Sequence, residues 1–184
     1  MYETILSPMN YGGLTLKNRI IFAPTTMGLP QEELEARLRS IAAGGCAMII
    51  LGDVPVTKHG FGPSLFTKKG FAYYQRLAQI VHQEGCKICA QLHQSDSDLK
   101  AMLRYLPGLL TKRIDADQLR NLLNQQVGPY ITNLPTHKVE QITHSFGPAA
   151  LRAKEAGFDM VQVRGDRMCV GCSASVYNSR TDLL

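Results

Sequence analysis

A chain of 184 residues, 45% of them hydrophobic, is long enough to bury the core of one domain. Its formal charge of +5 is mild and its Lys and Arg are scattered, which argues against nucleic-acid binding but leaves a basic surface suited to anionic ligands. Met1 to Asn10 lacks the pattern of a signal peptide, no apolar stretch approaches the roughly 20 residues of a membrane span, and the five cysteines are an odd number, so we expect a cytoplasmic protein with reduced thiols.

Apolar runs alternate with helical patterns along the chain. Arg19 to Ala23 (RIIFA) suits a buried parallel strand. Pro30 can occupy the first turn of the next helix, with Glu32, Glu33 and Glu35 near its positive end. Leu34, Leu38 and Ile41 then share a face, and Gly44-Gly45 stops the helix. Ala47 to Leu51 (AMIIL) reads as the second strand. Tyr73, Leu77, Ile80 and Val81 mark the second helix, closed by Gly85, and Lys87 to Leu92 (KICAQL) the third strand. Val139, Ile142, Phe146, Ala150 and Ala153 mark a long third helix ending at Gly157, before the fourth strand at Asp159 to Val163 (DMVQV). This order predicts parallel βαβ units with right-handed crossovers.

Residues 98–126 break the rhythm. They carry helical spacing interrupted at Pro107-Gly108, with an Asp115/Gln118 pair able to cap the second half. The expected organisation is a single domain over 1–184 with this helical insertion inside it, either as a lid or as packing alone.

Reactive groups in parallel α/β folds collect at the C-terminal ends of strands. Here those ends are Ala23-Pro24-Thr25-Thr26, Gly52-Asp53, Gln91-Leu92-His93 and Arg164-Gly165-Asp166-Arg167. Such a set can hydrogen-bond the edge of a planar heterocycle and neutralise an anion.

In order and spacing, LTLKNRIIFAPTTM at 14–27, the strand ending in Gly52, AQL at 90–92, AALRAKEAGFDMVQVRGDR at 149–167 and NSRTD at 178–182 resemble the old yellow enzyme family. These are NADH:flavin oxidoreductases and 2,4-dienoyl-CoA reductases. The resemblance implies an α/β fold, the N-terminal half of a (β/α)8 TIM barrel of about four parallel strands. A complete barrel normally needs about 250 residues.

The resemblance also implies FMN as cofactor, NAD(P)H as electron donor and an activated alkene or enoyl thioester as small-molecule substrate. Ala23, Pro24, Thr25 and Thr26 match the turn that lies against the flavin, with the Thr26 hydroxyl tuning its potential. Gly52 matches a small residue beside the ring, and Gln91 an amide on its pyrimidine edge. Taken singly, Pro24 and Gly52 could be turn residues and Gln91 a buried amide.

The fourth strand departs from the family pattern. Arg164 and Arg167 replace the His-x-x-His or His-x-x-Asn pair that holds the substrate carbonyl, and Cys169 replaces a proton-donating tyrosine. Permanently charged guanidinium groups favour a carboxylate, a phosphate or a flavin oxyanion over a neutral enone. Ion pairing with Asp53 or Asp166 is the alternative role for the two arginines.

Cys86 and Cys89 bracket the start of a strand, where residues three apart face opposite ways, so they are expected to be core thiols rather than metal ligands. Cys169 and Cys172 fall on the loop after the fourth strand and could be redox-active. His93 stands near Gln91, whereas His59, His82, His137 and His144 read as surface or loop residues.

Half a barrel would leave two strand edges open, together with an inner face that we assign to Ile21, Ile49, Ile88 and Val161. A homo-oligomer or pairing with a second half-barrel is therefore expected. The alternative to an active oxidoreductase is a catalytically silent, truncated half-barrel acting only through such assembly.

Overall fold

The four apolar runs become one parallel sheet in a computed structural model that describes residues 2–25, 27–58, 62–94, 96–125, 133–165 and 179–181. The elements are α1 (Glu3–Leu6), β1 (Met9–Tyr11), β2 (Leu14–Leu16), β3 (Ile21–Thr25), α2 (Gln31–Ala43), β4 (Met48–Pro55), α3 (Lys68–Gln83), β5 (Lys87–His93), α4 (Asp96–Leu110), α5 (Ala116–Gln125), α6 (Thr136–Glu155) and β6 (Met160–Val163). Sheet order is β3-β4-β5-β6 with every pair parallel, an α/β arrangement consistent with half of a TIM barrel. The chain divides into two compact units, Met1–His93 with Gly147–Val163, and Gln94–Phe146 with Arg164–Leu184.

In the first unit, helix ends follow local chemistry. Pro30, expected inside the first turn of α2, instead directly precedes it in an extended conformation, where its missing N–H costs no hydrogen bond. Gly45, at φ +96°, reverses the chain after α2. Thr67 Oγ1 accepts from Gly70 N–H at 3.1 Å and caps α3. Gly70 has a second role: a Cβ there would run into the Ser64 backbone, so the start of α3 can approach that loop only as glycine. Later in the unit, Arg152 of α6 donates to Leu65 O at 3.3 Å and lies 4.4 Å from the centre of the Phe71 ring.

Two strands differ from their sequence-based limits. β3 begins at Ile21 rather than Arg19, because Asn18 holds the preceding turn. Its Oδ1 accepts from Ile20 N–H at 3.0 Å and its Nδ2 donates to Gly45 O at 2.7 Å. β4 runs on to Pro55, past a register irregularity between Leu51 and Val54.

The register also corrects the expected inner face. Ile21 pairs with Met48 and shares its face with Ile50, Cys89 and Met160, whereas Ile49, Ile88 and Val161 point the other way. Neither face is a continuous row of isoleucine and valine. On the Met48 side, Met48, Ala47 and Cys89 form a buried cluster with Leu16, against which Met9, Leu14, Ile50 and Met160 pack. The first and last of the strands, β3 and β6, leave Ile21, Val161 and Val163 exposed. Leu16, Leu14 and Met9 come from a β1–β2 hairpin that the periodicity did not reveal; its signal was Gly12-Gly13, both at positive φ.

In the second unit, α4 passes through Pro107 instead of breaking there, and the helix closes only at Lys112, φ +55°. The Asp115/Gln118 capping box forms as expected: Asp115 N–H donates to Gln118 Oε1 at 3.0 Å, and Gln118 N–H to Asp115 Oδ1 at 2.8 Å. Arg180 of the NSRTD segment donates to Leu134 O and, at 3.2 Å, to Thr136 Oγ1.

One carboxylate fastens β6 to its neighbours. Asp159 accepts from Ile88 N–H at 2.9 Å, from Lys87 Nζ at 2.9 Å and bonds His82 Nε2 at 2.8 Å. His82, exposed as expected of a surface residue, ties the end of α3 to the start of β6; His137 and His144 are exposed as well, and His59 lies outside the described residues. Burial alone would raise the Asp159 carboxyl, but the hydrogen bond from His82, with those from Ile88 and Lys87, outweighs it and holds the group below its ordinary value of 3.8. A depressed folded-state value gives stability that is complete above the unfolded-state value and lost as pH falls through the folded one. Asp159→Asn is therefore expected to cost about 1–3 kcal/mol at neutral pH. In urea denaturation, the gap to the unsubstituted chain should close as pH drops below about 4. A pH-independent gap would show that the charge on Asp159 contributes nothing.

Candidate functional site

The C-terminal ends of β3, β4 and β5 are shaped by two adjacent irregularities. β3 loses register between Phe22 and Thr25, and β4 between Leu51 and Val54. Pro24 is tolerated because β3 is the first strand of the sheet and bulges at that point. In β4 the extra length is taken up at Gly52-Asp53, with Asp53 at φ +56°, a left-handed conformation that aspartate adopts more readily than most residues. Ala23 and Thr25 are exposed at this end and Pro24 half-buried; Thr26 lies outside the described residues.

Gly52 stands against β3. A Cβ built there would lie 3.4 Å from Thr25 N, 3.5 Å from Thr25 C and 3.6 Å from Thr25 O. Those are ordinary contacts, so alanine fits, while a longer side chain would grow over the end of β3.

Gln91 and Gln162 sit opposite each other in the β5–β6 register, on the same face of the sheet as Ile50 and Met160. Gln91 Nε2 donates to Gln162 Oε1 at 2.8 Å, at the exposed end of that face. The bond fixes which end of the Gln91 amide is donor and which acceptor, so the side chain can match a neighbouring –CO–NH– edge only one way round. Gln162 was missed in the sequence because its signal is positional: it is an amide two residues before Arg164, recognisable only once its strand is in register with β5. His93 lies two residues beyond Gln91 on the same side of β5, with a buried Nε2, and its carbonyl accepts from Val56 N–H at 3.0 Å.

This face fits the isoalloxazine ring of a flavin. It offers an oriented amide donor and acceptor, an adjacent position with no side chain and a bulged strand end without bulky groups. Arg164, in the second unit, follows β6 directly and is half-buried. Asp166, Arg167, Cys169 and Cys172 lie outside the described residues.

Residues 4–169 match the NADH:flavin oxidoreductase / NADH oxidase family. A bilirubin reductase of Clostridium symbiosum is 58% identical over 183 residues, which is 99% of this chain and 49% of that protein. The chain thus spans about half the length of this relative. The Old Yellow Enzyme of Pichia sp. AKU4542 superposes with a TM-score of 0.69 at 20% identity over 97% of this chain and 50% of its own. Morphinone reductase in complex with tetrahydroNAD gives 0.63 at 23% identity over 97% and 54%. At such identities the two structures speak to the fold.

Gly52 and Gly70 are expected to respond differently to a methyl group. Gly52→Ala should range from neutral to about 1 kcal/mol stabilising, because the contact is ordinary and the unfolded chain loses freedom. Gly70→Ala should cost about 1–3 kcal/mol, because the obstacle is backbone. Urea denaturation of both variants checks this; equal losses would mean that the end of β4 is packed as tightly as the start of α3.

Proposed function

Because the chain belongs to the NADH:flavin oxidoreductase / NADH oxidase family, we propose that it supplies the flavin-facing strand ends of an FMN-dependent reductase acting on a conjugated, anionic substrate of the bilirubin class. The observation that carries the substrate class is the 58% identity with a bilirubin reductase over almost the whole chain. Bilirubin is a linear tetrapyrrole with conjugated carbon–carbon double bonds and two propionate carboxylates. It combines the activated alkene and the anionic group that the sequence calls for.

FMN, when bound, would supply the redox chemistry that links NAD(P)H to the substrate double bond. The chain's own residues bind and orient. Ala23, Pro24 and Thr25 form the wall under the ring, and the Thr26 hydroxyl bonds its edge. Gly52 leaves room beside it. Gln91, oriented by Gln162, reads the pyrimidine edge. Arg164 and Arg167 hold a carboxylate or a flavin oxyanion. Cys169 takes the place of the tyrosine that donates a proton.

The exposed Ile21 on β3 and the exposed Val161 and Val163 on β6 support assembly of these edges with a second half-barrel or a second copy. No described helix is long and apolar enough to cross a membrane. A cytoplasmic setting, where NAD(P)H is available, goes with this reading.

The test uses the purified protein, incubated anaerobically with NAD(P)H. It should be yellow with bound FMN and should consume bilirubin faster than an enoyl thioester. Arg164→Gln and Arg167→Gln should each lower kcat/KM by roughly tenfold or more and weaken its dependence on salt, while the exposed Lys68→Gln changes neither. Colourless protein that fails to take up FMN would overturn the reading in favour of a silent, assembly-only half-barrel. Equal effects of all three substitutions would remove the arginines from the site.

A further inference from the structure

At the end of the sheet opposite the candidate site, two cysteines that play no part in it are in contact. Cys46 Sγ and Cys86 Sγ lie 3.6 Å apart, both residues buried and neither in a disulfide. Their backbones are pinned. Cys46 directly precedes Ala47, whose N–H donates to Ile20 O at 2.8 Å, and Cys86 directly precedes Lys87, whose N–H donates to Ala47 O at 2.9 Å. The β4–β5 register pairs Met48 with Lys87, so Cys86 stands one residue along from the position opposite Cys46. Neighbouring strands about 4.8 Å apart with a rise of about 3.3 Å per residue then put the two Cα atoms about 6 Å apart. Disulfides span roughly 4.4–6.8 Å between Cα atoms. Cys89 faces the Leu16 cluster on the other side of the sheet and does not compete.

We propose that Cys46 and Cys86 form a site of reversible oxidation, at which a hydroperoxide converts the two thiols into an intrachain disulfide joining the starts of β4 and β5. With hydrogen peroxide, Cys46 Sγ attacks one peroxide oxygen; an S–O bond forms as the O–O bond breaks, giving a sulfenic acid and water. Cys86 Sγ then bonds to Cys46 Sγ, the S–O bond breaks, and the hydroxyl leaves as a second water with the remaining thiol proton. The thiols lose two electrons and the peroxide gains them. Cys46 reacts first because it is 6% exposed against 1% for Cys86. Burial, with the neighbouring Cys46, also pushes the Cys86 thiol up to about 12, which disfavours its thiolate.

The bridged residues are 40 apart in sequence and enclose β4 and α3. Closing that loop restricts the unfolded chain, so the oxidised protein should melt about 10 °C higher.

The experiment treats the native chain with hydrogen peroxide, blocks remaining thiols under denaturing conditions and maps tryptic peptides by mass spectrometry. Cys46 falls on residues 40–58, Cys86 on 77–87, Cys89 on 88–100 and the remaining two cysteines on 168–180, so each pairing has its own mass. The expected product is 40–58 joined to 77–87, lighter than the two peptides by two hydrogens and restored by dithiothreitol. Cys46→Ser and Cys86→Ser should each abolish the cross-link and the rise in Tm. The proposal is overturned if Cys46 and Cys86 stay fully alkylatable, proceed separately to sulfinic acids, or pair instead with 88–100 or 168–180. If a variant fails to fold, the peptide map of the unsubstituted chain decides alone.

Discussion

The parallel register of β3, β4, β5 and β6 is the constraint on which the candidate site depends. With all four strands running the same way, their C-terminal ends share one rim, and side-chain alternation decides which residues look the same way from it. Gln91 meets Gln162 only because Cys89 stands opposite Met160, two residues earlier on each strand. That alignment is held from below by Asp159, whose carboxylate gathers Ile88 N–H, Lys87 and His82 at the start of β6. A slip of one residue would turn Gln162 to the other face and bring Val161 or Val163 in its place.

The two ends of the sheet consequently carry different physics. The N-terminal end is fastened, by Asn18 to Gly45, by the Leu16 cluster and by Asp159. The C-terminal end is opened by bulges, with Pro24 and Gly52-Asp53 giving up regular pairing and exposing small groups and backbone. Such division places stability and chemistry where a change in one need not disturb the other, as barrel enzymes generally do.

Local signals in the sequence carried far. The spacing of Leu38, Leu77, Ile80 and Val81 marked buried helix faces, and Asp115 with Gln118 marked a cap that forms reciprocally. The motif from Leu14 to Met27 and the one from Ala149 to Arg167 placed the chain in its family. What escaped was non-local. Ile21 was grouped with Ile49, Ile88 and Val161, which face the other way, because parity between strands is a property of register, which no single strand contains. The contacts of Cys46 with Cys86, His82 with Asp159 and Gln91 with Gln162 join residues that are 40 to 77 positions apart. The β1–β2 hairpin leaves only a weak signal, Gly12-Gly13 between the alternating triplets Met9-Asn10-Tyr11 and Leu14-Thr15-Leu16, because each strand is only three residues long.

The central claim is that the strand-end face of this half-barrel receives the flavin ring. The most direct measurement is a titration of the isotope-labelled chain with lumiflavin, the ring system without ribityl phosphate, followed by NMR of backbone and side-chain amides. The account predicts shift changes concentrated at Ala23 to Thr25, at Gly52 and in the side-chain amides of Gln91 and Gln162, with Cys46, Cys86 and Asp159 unmoved. Changes centred on the N-terminal ends of the strands, or none at saturating lumiflavin, would contradict it.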